Sequence, residues 1–484
     1  MLQNKDIKNL SELTLTFVDK HNRTDFFSKY IEILKIGKSH GIFSCVKTKG
    51  YSALLILKVL IVIPFLGQKT VHSLVNSPWN KYSGFGKDVY YRLKNNPKIN
   101  WRGLLFSVVQ RLIITLNNRI DSTDSNDKQA AFIFDDTTIT KTGYKIEGTS
   151  RVWSHVINKH ILGYQLLVMG YYNGIIFLPI NFSIHREKGN NKNKPYNLKP
   201  KELRKQLSKK RDTKSPGAAR KKELDQNKIK SSIKMIKQAL RRGIKATYVL
   251  TDSWFTCWEM VKTALENNLI YIGMFSKVKT LFEYRNCKLN YKAIRKLNRK
   301  KVKRNRKYKL YYIRTVVMWK GHEVVLYHTR KGKRGKWKIL LSTDTSSNFN
   351  STLEIYQIRW SIEVFFKESK QMLSLGKSQS NDFDGQIADT TISMIQYLFL
   401  ALQNQIDSYE TLGKLFVNTK AEMLDIKLHE RLLNLLIEIL KIIETLFENS
   451  DSDIIMTKLL NNDKAYEQLK LLLNAPFGYQ ERAA

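Results

Sequence analysis

Between Ala130 and Phe275, short apolar runs alternate with amphipathic stretches in an order that few folds can accept. Ala130 to Phe134 is the first run and ends at Asp135 and Asp136. Tyr164 to Tyr172 is the second; Asn173-Gly174 then supplies a hairpin turn, and Ile175 to Ile184 returns. Ile229, Ile233, Ile236 and Leu240 next fall on one helical stripe, with Gly243 where such a helix stops. Ala246 to Leu250 reads as a buried strand that ends at Thr251-Asp252. A helix over about 255–267 and a strand over Leu269 to Phe275 complete the series.

Three strands, helix, strand, helix, strand is the connectivity of an α/β mixed sheet with helices on its faces, as in the ribonuclease-H fold. The expected division follows the texture of the chain. Residues 1–125 form a helical region, with Leu54, Leu57, Leu60, Ile61 and Phe65 at helical spacing, as are Leu104, Leu105, Val108 and Leu112. Polar Asp121 to Asp127 is a linker. Residues 126–276 hold the first part of the ribonuclease-H-like core. The lysine-rich tract over 186–222 is expected to be a mobile loop or arm that touches DNA backbone. Residues 277–338 are a basic, β-rich insertion, with runs at Tyr311 to Met318 and Glu323 to His328. Residues 339–380 return to the core, with a strand at Ile339 to Thr343 and a helix over about 352–375. Residues 381–484 are helical and carry the stripe Leu432, Leu435, Leu436, Ile439 and Ile442, a candidate dimerisation surface.

Charge narrows the partners. The 484 residues include 83 Lys and Arg against 42 Asp and Glu, a formal net charge of +41. That excess attracts polyanions, and nucleic acid is the usual one. The basic residues are spread along the chain and do not line one amphipathic helix, which argues against a membrane surface. The apolar stretch from Ala53 to Leu66 is short and contains Lys58 and Pro64, so it reads as a buried helix. The N-terminus shows no secretory hydrophobic region, since Asn4, Lys5, Asp6 and Lys8 interrupt it. Cys45, Cys257 and Cys287 match no zinc spacing and suggest a reducing compartment. The expected location is cytoplasmic and nucleoid-associated.

Carboxylates at strand ends are the chemical signal. Phosphoryl transfer on DNA needs a nucleophile activated and a leaving oxygen stabilised; two divalent ions about 3.5–4 Å apart do both, held by hard oxygen ligands. Two strand-borne Asp and one helix-borne Glu would supply such ligands. An Asp at a strand end also serves turns and caps, so each is weak evidence alone. Glu363 stands in better company. Tyr356, Arg359, Glu363 and Lys370 recur at steps that place them within roughly a 60° arc of one helix. Ile355, Ile358, Ile362 and Phe366 fall on a neighbouring face that would anchor that helix. A solvated face with an i,i+4 Arg–Glu pair is the plainer alternative.

Taken together, these residues resemble a known family. Tyr356-x2-Arg359-x3-Glu363-x6-Lys370 is similar to the tyrosine–arginine–glutamate–lysine signature of DDE transposases of bacterial insertion sequences, the fourth insertion-sequence family. Phe134-Asp135-Asp136-Thr137 resembles the motif around that family's first aspartate, and Leu250-Thr-Asp252-Ser-Trp-Phe255 the second. The resemblance covers about 130–380 and includes the β-rich insertion. It implies a catalytic triad of Asp136, Asp252 and Glu363 binding Mg²⁺ or Mn²⁺, with Asp135 the alternative first acid. Asp136 is preferred because the family pattern places Thr after the catalytic Asp, and strand alternation lets only one of the pair face the site. It further implies that Tyr356, Arg359 and Lys370 grip phosphates of double-stranded DNA at the transposon end. By the same resemblance the helical region over 1–125 would bind DNA by reading the terminal inverted repeats, and pairing two ends implies a homodimer in a synaptic complex. Trp319 and Trp337 could stack on an unpaired base, although packing is the commoner role.

The expected activity is therefore binding of terminal inverted repeats, followed by metal-dependent cleavage and strand transfer. A metal-dependent endonuclease of the same fold without strand transfer is one rival; a non-catalytic DNA-binding relic is the other. A metal role for His155, His160 or His185 is disfavoured, because their spacing fits no ligand motif.

Overall fold

Strand β1 (Ala131–Thr140) runs through the middle of one large sheet, and Phe132, Ile133 and Phe134 are fully buried because helices cover both faces. This computed structural model describes residues 34, 36, 43–46, 50–77, 85–117, 129–154, 157–407 and 412–420. The linker Asp121 to Asp127, His155 and the stripe from Leu432 to Ile442 lie outside the described residues. Among the described residues, no helix is long and apolar enough to cross a membrane.

The N-terminal helices are α1 (Ala53–Val62), α2 (Val71–Val75), α3 (Lys87–Lys94) and α4 (Trp101–Asn117). Strands β2 (Ser150–Ser154), β3 (Lys159–Tyr172) and β4 (Phe177–His185) follow β1, all antiparallel to their neighbours. Strand β2 was not anticipated from the sequence. The β3–β4 turn is the expected one: Gly174 has φ +99° and the Asn173 side chain accepts the backbone N–H groups of Ile175 and Ile176. Helices α5 (Pro200–Arg204), α6 (Pro216–Glu223) and α7 (Lys228–Arg241) lead to β5 (Tyr248–Thr251), and α8 (Trp258–Glu266) to β6 (Ile270–Met274). Helix α7 ends before Gly243, whose φ of +82° only glycine adopts freely. The order β4-β3-β1-β5-β6, with β1, β5 and β6 mutually parallel, is a ribonuclease-H-like mixed sheet.

The insertion does not form a separate layer. Strands β7 (Leu281–Tyr284), β8 (Cys287–Asn290), β9 (Lys303–Asn305), β10 (Leu310–Trp319), β11 (His322–Lys331) and β12 (Lys338–Ser342) extend the same sheet, which β12 joins by pairing antiparallel with β6. A helix, α9 (Tyr291–Leu297), interrupts them. The helix expected over about 352–375 is two: α10 (Phe349–Gln357) and α11 (Trp360–Met372). Between them, Arg359 N–H donates to Tyr356 O and Ser361 N–H to Ile358 O, the tighter i→i−3 pattern that breaks a helix. Helix α12 (Phe383–Asp407) completes the described core.

The tract over 186–222 corrects the expectation of a mobile arm. Lys188, Lys192, Lys194 and Lys201 remain exposed, but Lys209 and Arg211 are drawn inward. The Arg211 guanidinium is 4% exposed and pairs with Glu147 at 2.6 Å and Asp384 at 3.0 Å; Lys209 pairs with Asp382 at 2.7 Å and Asp384 at 2.9 Å. These acids come from distant segments, so the tract bolts the region after β1 to the start of α12. A buried charge is tolerated when its partners are buried with it.

Candidate active site

The first surprise is the position of the two adjacent aspartates. They lie in the interior of β1, not at its end, because Thr137 to Thr140 continue the pairing with β3. Strand β5 stops earlier. Its last paired residue, Thr251, faces Phe134, so Asp135 and Asp252 come side by side where the parallel neighbour leaves the sheet. Successive strand residues point to opposite faces, so Asp135 and Asp136 part company.

Asp135 faces α11. Its Oδ2 accepts from Arg359 Nη1 at 3.1 Å, while Arg359 Nη2 donates to Glu363 Oε1. One guanidinium thus joins an acid of β1 to an acid of α11. Asp136 faces α7 instead, and its Oδ2 accepts from Lys228 Nζ at 2.6 Å. Lys228 lies 4.1 Å from the ring centre of Trp254, which is 48% exposed beside Asp252. Asp252 Oδ1 accepts the backbone N–H groups of Trp254 and Phe255 at 2.9 and 3.1 Å, fixing the turn after β5.

A relay of rings sets the height of α11 over the sheet. Phe177 crosses Gly170, where a Cβ would meet its ring at 2.0 Å. Phe177 packs 5.5 Å from Phe365 of α11, and Phe365 meets Tyr397 of α12 edge-on at 4.8 Å. Ile362 and Phe366 are buried as the stripe requires, with Ile355 and Ile358 partly so. Lys370, four residues beyond Phe366, reaches back to β1: its Nζ donates to Thr137 Oγ1 at 2.6 Å and to Thr138 O at 3.2 Å. Lys141, just past β1, donates to the carbonyls of Gly376 and Ser378 at 3.0 and 2.5 Å. Past Asp136, β1 is therefore tied both to the last turn of α11 and to the chain that follows it.

Burial and crowding of like charge act on the acids. Burial first, then the charge of Asp252, pushes the Asp135 carboxyl up to about 7, against the pull of Arg359. Burial also raises Asp252, with Asp136 adding to the effect. The Tyr356 hydroxyl is pushed up to about 12, chiefly by burial. Its ring centre lies 5.8 Å from the Arg359 guanidinium.

These donors suit a hard divalent cation. They are carboxylate oxygens, crowded enough that one resists ionising, and a cationic group already lies between Asp135 and Glu363. Among the described residues, no three His, Cys, Asp or Glu side chains gather closely enough to enclose an ion with the side chains as placed. Arg359 holds Glu363 on one arm and Asp135 on the other.

A cleft of about 880 Å³ opens beside Tyr356, Arg359 and Trp360, with Arg330, Lys331 and Lys336 of the insertion opposite. Trp319 is not available to it, being buried among Trp258, Phe275 and Phe282. Trp337 lies between Arg295 and Arg330, at 5.5 and 4.6 Å. His160 packs against Trp153. His185 bonds to Ser183 Oγ and Gln226 O, and burial pushes it down to about 4, so it stays neutral as a packing residue.

Lys228 escaped the sequence reading. One signal was there: it follows the helix cap Asn227, and the first turn of α7 holds no acid. A cation at a helix N-terminus opposes the helix dipole and calls for an acid elsewhere, which Asp136 provides.

A family model described as DDE superfamily endonuclease matches residues 66–330. The match runs from the N-terminal helices through β11 and includes Asp135, Asp136 and Asp252, but stops short of Glu363. A comparison with curated proteins finds no match.

Proposed function

Since the chain belongs to the DDE superfamily endonucleases, which cut DNA with divalent metal, we propose that it is a transposase that binds the terminal inverted repeats of an insertion sequence, cleaves at them and joins the ends to target DNA. The observation that carries the site assignment is the Arg359 bridge between Asp135 and Glu363 beside Asp252. It supports Asp135, with Asp252 and Glu363, as the metal-holding acids. Asp136, the acid preferred on the family pattern, is engaged by Lys228 on the other face and is assigned a supporting part.

Mg²⁺ or Mn²⁺ at the three acids would lower the pKa of an attacking water or 3′-hydroxyl and stabilise the leaving oxygen. The chain's own residues do the rest. Asp252, tied into its turn by two backbone bonds, offers its second oxygen in a fixed direction. Glu363 is carried at the height set by Phe365 and Ile362. Tyr356 and Arg359 line the cleft opposite Arg330 and Lys331 and present donors to phosphate oxygens. Lys370 would reach a phosphate only by releasing Thr137 and Thr138, so its first part is to hold α11 to β1. Two subunits would pair two DNA ends.

The family description favours cleavage without joining as the second reading. Purified protein, Mg²⁺, DNA carrying the sequences that flank the reading frame, and a target plasmid separate the two. The proposal expects joined product; cut ends that never join would leave an endonuclease.

A further inference from the structure

Arg359 Nη1 is bonded to Asp135 and Nη2 to Glu363, while its Nε is buried without a partner. It takes one oxygen from each acid, Asp135 Oδ2 and Glu363 Oε1, and its positive charge lies where a cation shared by the two acids would lie, so the guanidinium and such an ion compete. Arg359 also borders the basic cleft, where Arg330, Lys331, Lys336 and Lys338 draw a polyanion toward it. A phosphate there would offer the planar fork a second bidentate acceptor, and Nε a partner it now lacks.

We propose that Arg359 makes metal binding conditional on DNA. In the free chain it stands in for the cation between Asp135 and Glu363. When a DNA phosphate enters the cleft it turns to that phosphate and releases both acids. Arg359 lies at the junction of α10 and α11, where it lines the cleft as well as bridging the two acids. The coupling is reciprocal: DNA tightens metal binding and metal tightens DNA binding by the same factor. This inference rests on the site assignment above, and the experiment tells the two apart.

Mn²⁺ is titrated into the full chain, followed by electron paramagnetic resonance, with and without a duplex of the DNA flanking the reading frame and with the duplex alone subtracted. The wild type is expected to bind Mn²⁺ at least about tenfold more tightly with DNA, within the usual range of such couplings. Arg359→Gln is expected to bind Mn²⁺ without DNA about as tightly as the wild type does with it, and to gain little from DNA. Arg359→Lys, which keeps the charge but loses the fork, should fall between and shows that the position tolerates change. Equal wild-type affinity with and without DNA, or weaker Mn²⁺ binding by Arg359→Gln, overturns the coupling while leaving the acids as ligands. Mn²⁺ binding that survives Asp252→Asn overturns the site assignment and the coupling together.

Discussion

Asp135 and Asp136 are neighbours in sequence but serve opposite faces of the sheet: Arg359 takes the first from the α11 side and Lys228 the second from the α7 side. Their roles should separate on substitution. Asp135→Asn is expected to lower single-turnover DNA cleavage by more than about 100-fold, the loss that outer-shell partners of metal ligands can already reach. Asp136→Asn should leave cleavage within roughly tenfold of wild type, as an outer-shell change does at its mild end. The reverse order would return the first acid to Asp136.

Stability should carry the mark of Asp135 as well. Its folded-state pKa is about 7 against an ordinary 3.8. The folded chain therefore holds this proton more tightly than the unfolded chain. The contribution is absent below about 4, turns unfavourable as pH rises from 4 to 7, and is constant above that, with a ceiling of about 4 kcal/mol. Without metal, Asp135→Asn should raise the melting temperature at pH 8 and change it much less at pH 5. Calorimetry at the two pH values checks this; equal shifts would mean that Asp135 is not strained when ionised.

Gly170 is predicted to matter through α11 rather than through its own strand. A Cβ there meets the Phe177 ring at 2.0 Å, and Phe177 supports Phe365. Gly170→Ala should destabilise by about 1–3 kcal/mol, as overpacking does. It should also reduce cleavage although no acid is touched. Adding Phe177→Leu should recover part of both losses, which denaturant titration and a cleavage assay would read.

The Arg211 cluster is structural by the same logic. Arg211→Met leaves Glu147 and Asp384 buried with fewer partners and is expected to cost about 3–5 kcal/mol. Exposed lysines such as Lys300 should behave oppositely, changing stability little while reducing the salt dependence of DNA binding by up to about one ion per substitution. Overall binding should weaken steeply with salt, given the net charge of +41. A flat response would exclude a phosphate-dominated interface.

Much of the fold was legible because its strands are short apolar runs with clear stops. Asn173-Gly174 and Gly243 marked the hairpin and the end of α7 as the structure has them. Other features were not written locally. Thr137 to Thr140 look polar, so β1 seemed to end at Asp136; their pairing with β3 is a tertiary fact. The continuation of the sheet through the insertion depends on β12 meeting β6, 66 positions apart at the Leu340–Met274 pair and 70 at Ser342–Ile272, a distance periodicity does not sense. The tract over 186–222 misled because composition reports charge and not partners: Arg211 finds Glu147 and Asp384 far away in sequence. At the site, residue types named side chains that the fold brings together, Asp135, Arg359 and Glu363 among them, while which of Asp135 and Asp136 meets α11 is set by strand alternation.

Metal-dependent catalysis by these acids is tested by cleavage of the flanking DNA by wild type and Glu363→Gln, side by side, in Mg²⁺ and in Mn²⁺. The variant keeps the shape of α11 but loses the charge that Arg359 now holds. Metal-dependent cutting by the wild type and a loss of more than about 100-fold in the folded variant are expected. Cutting by Glu363→Gln at the wild-type rate would contradict that expectation.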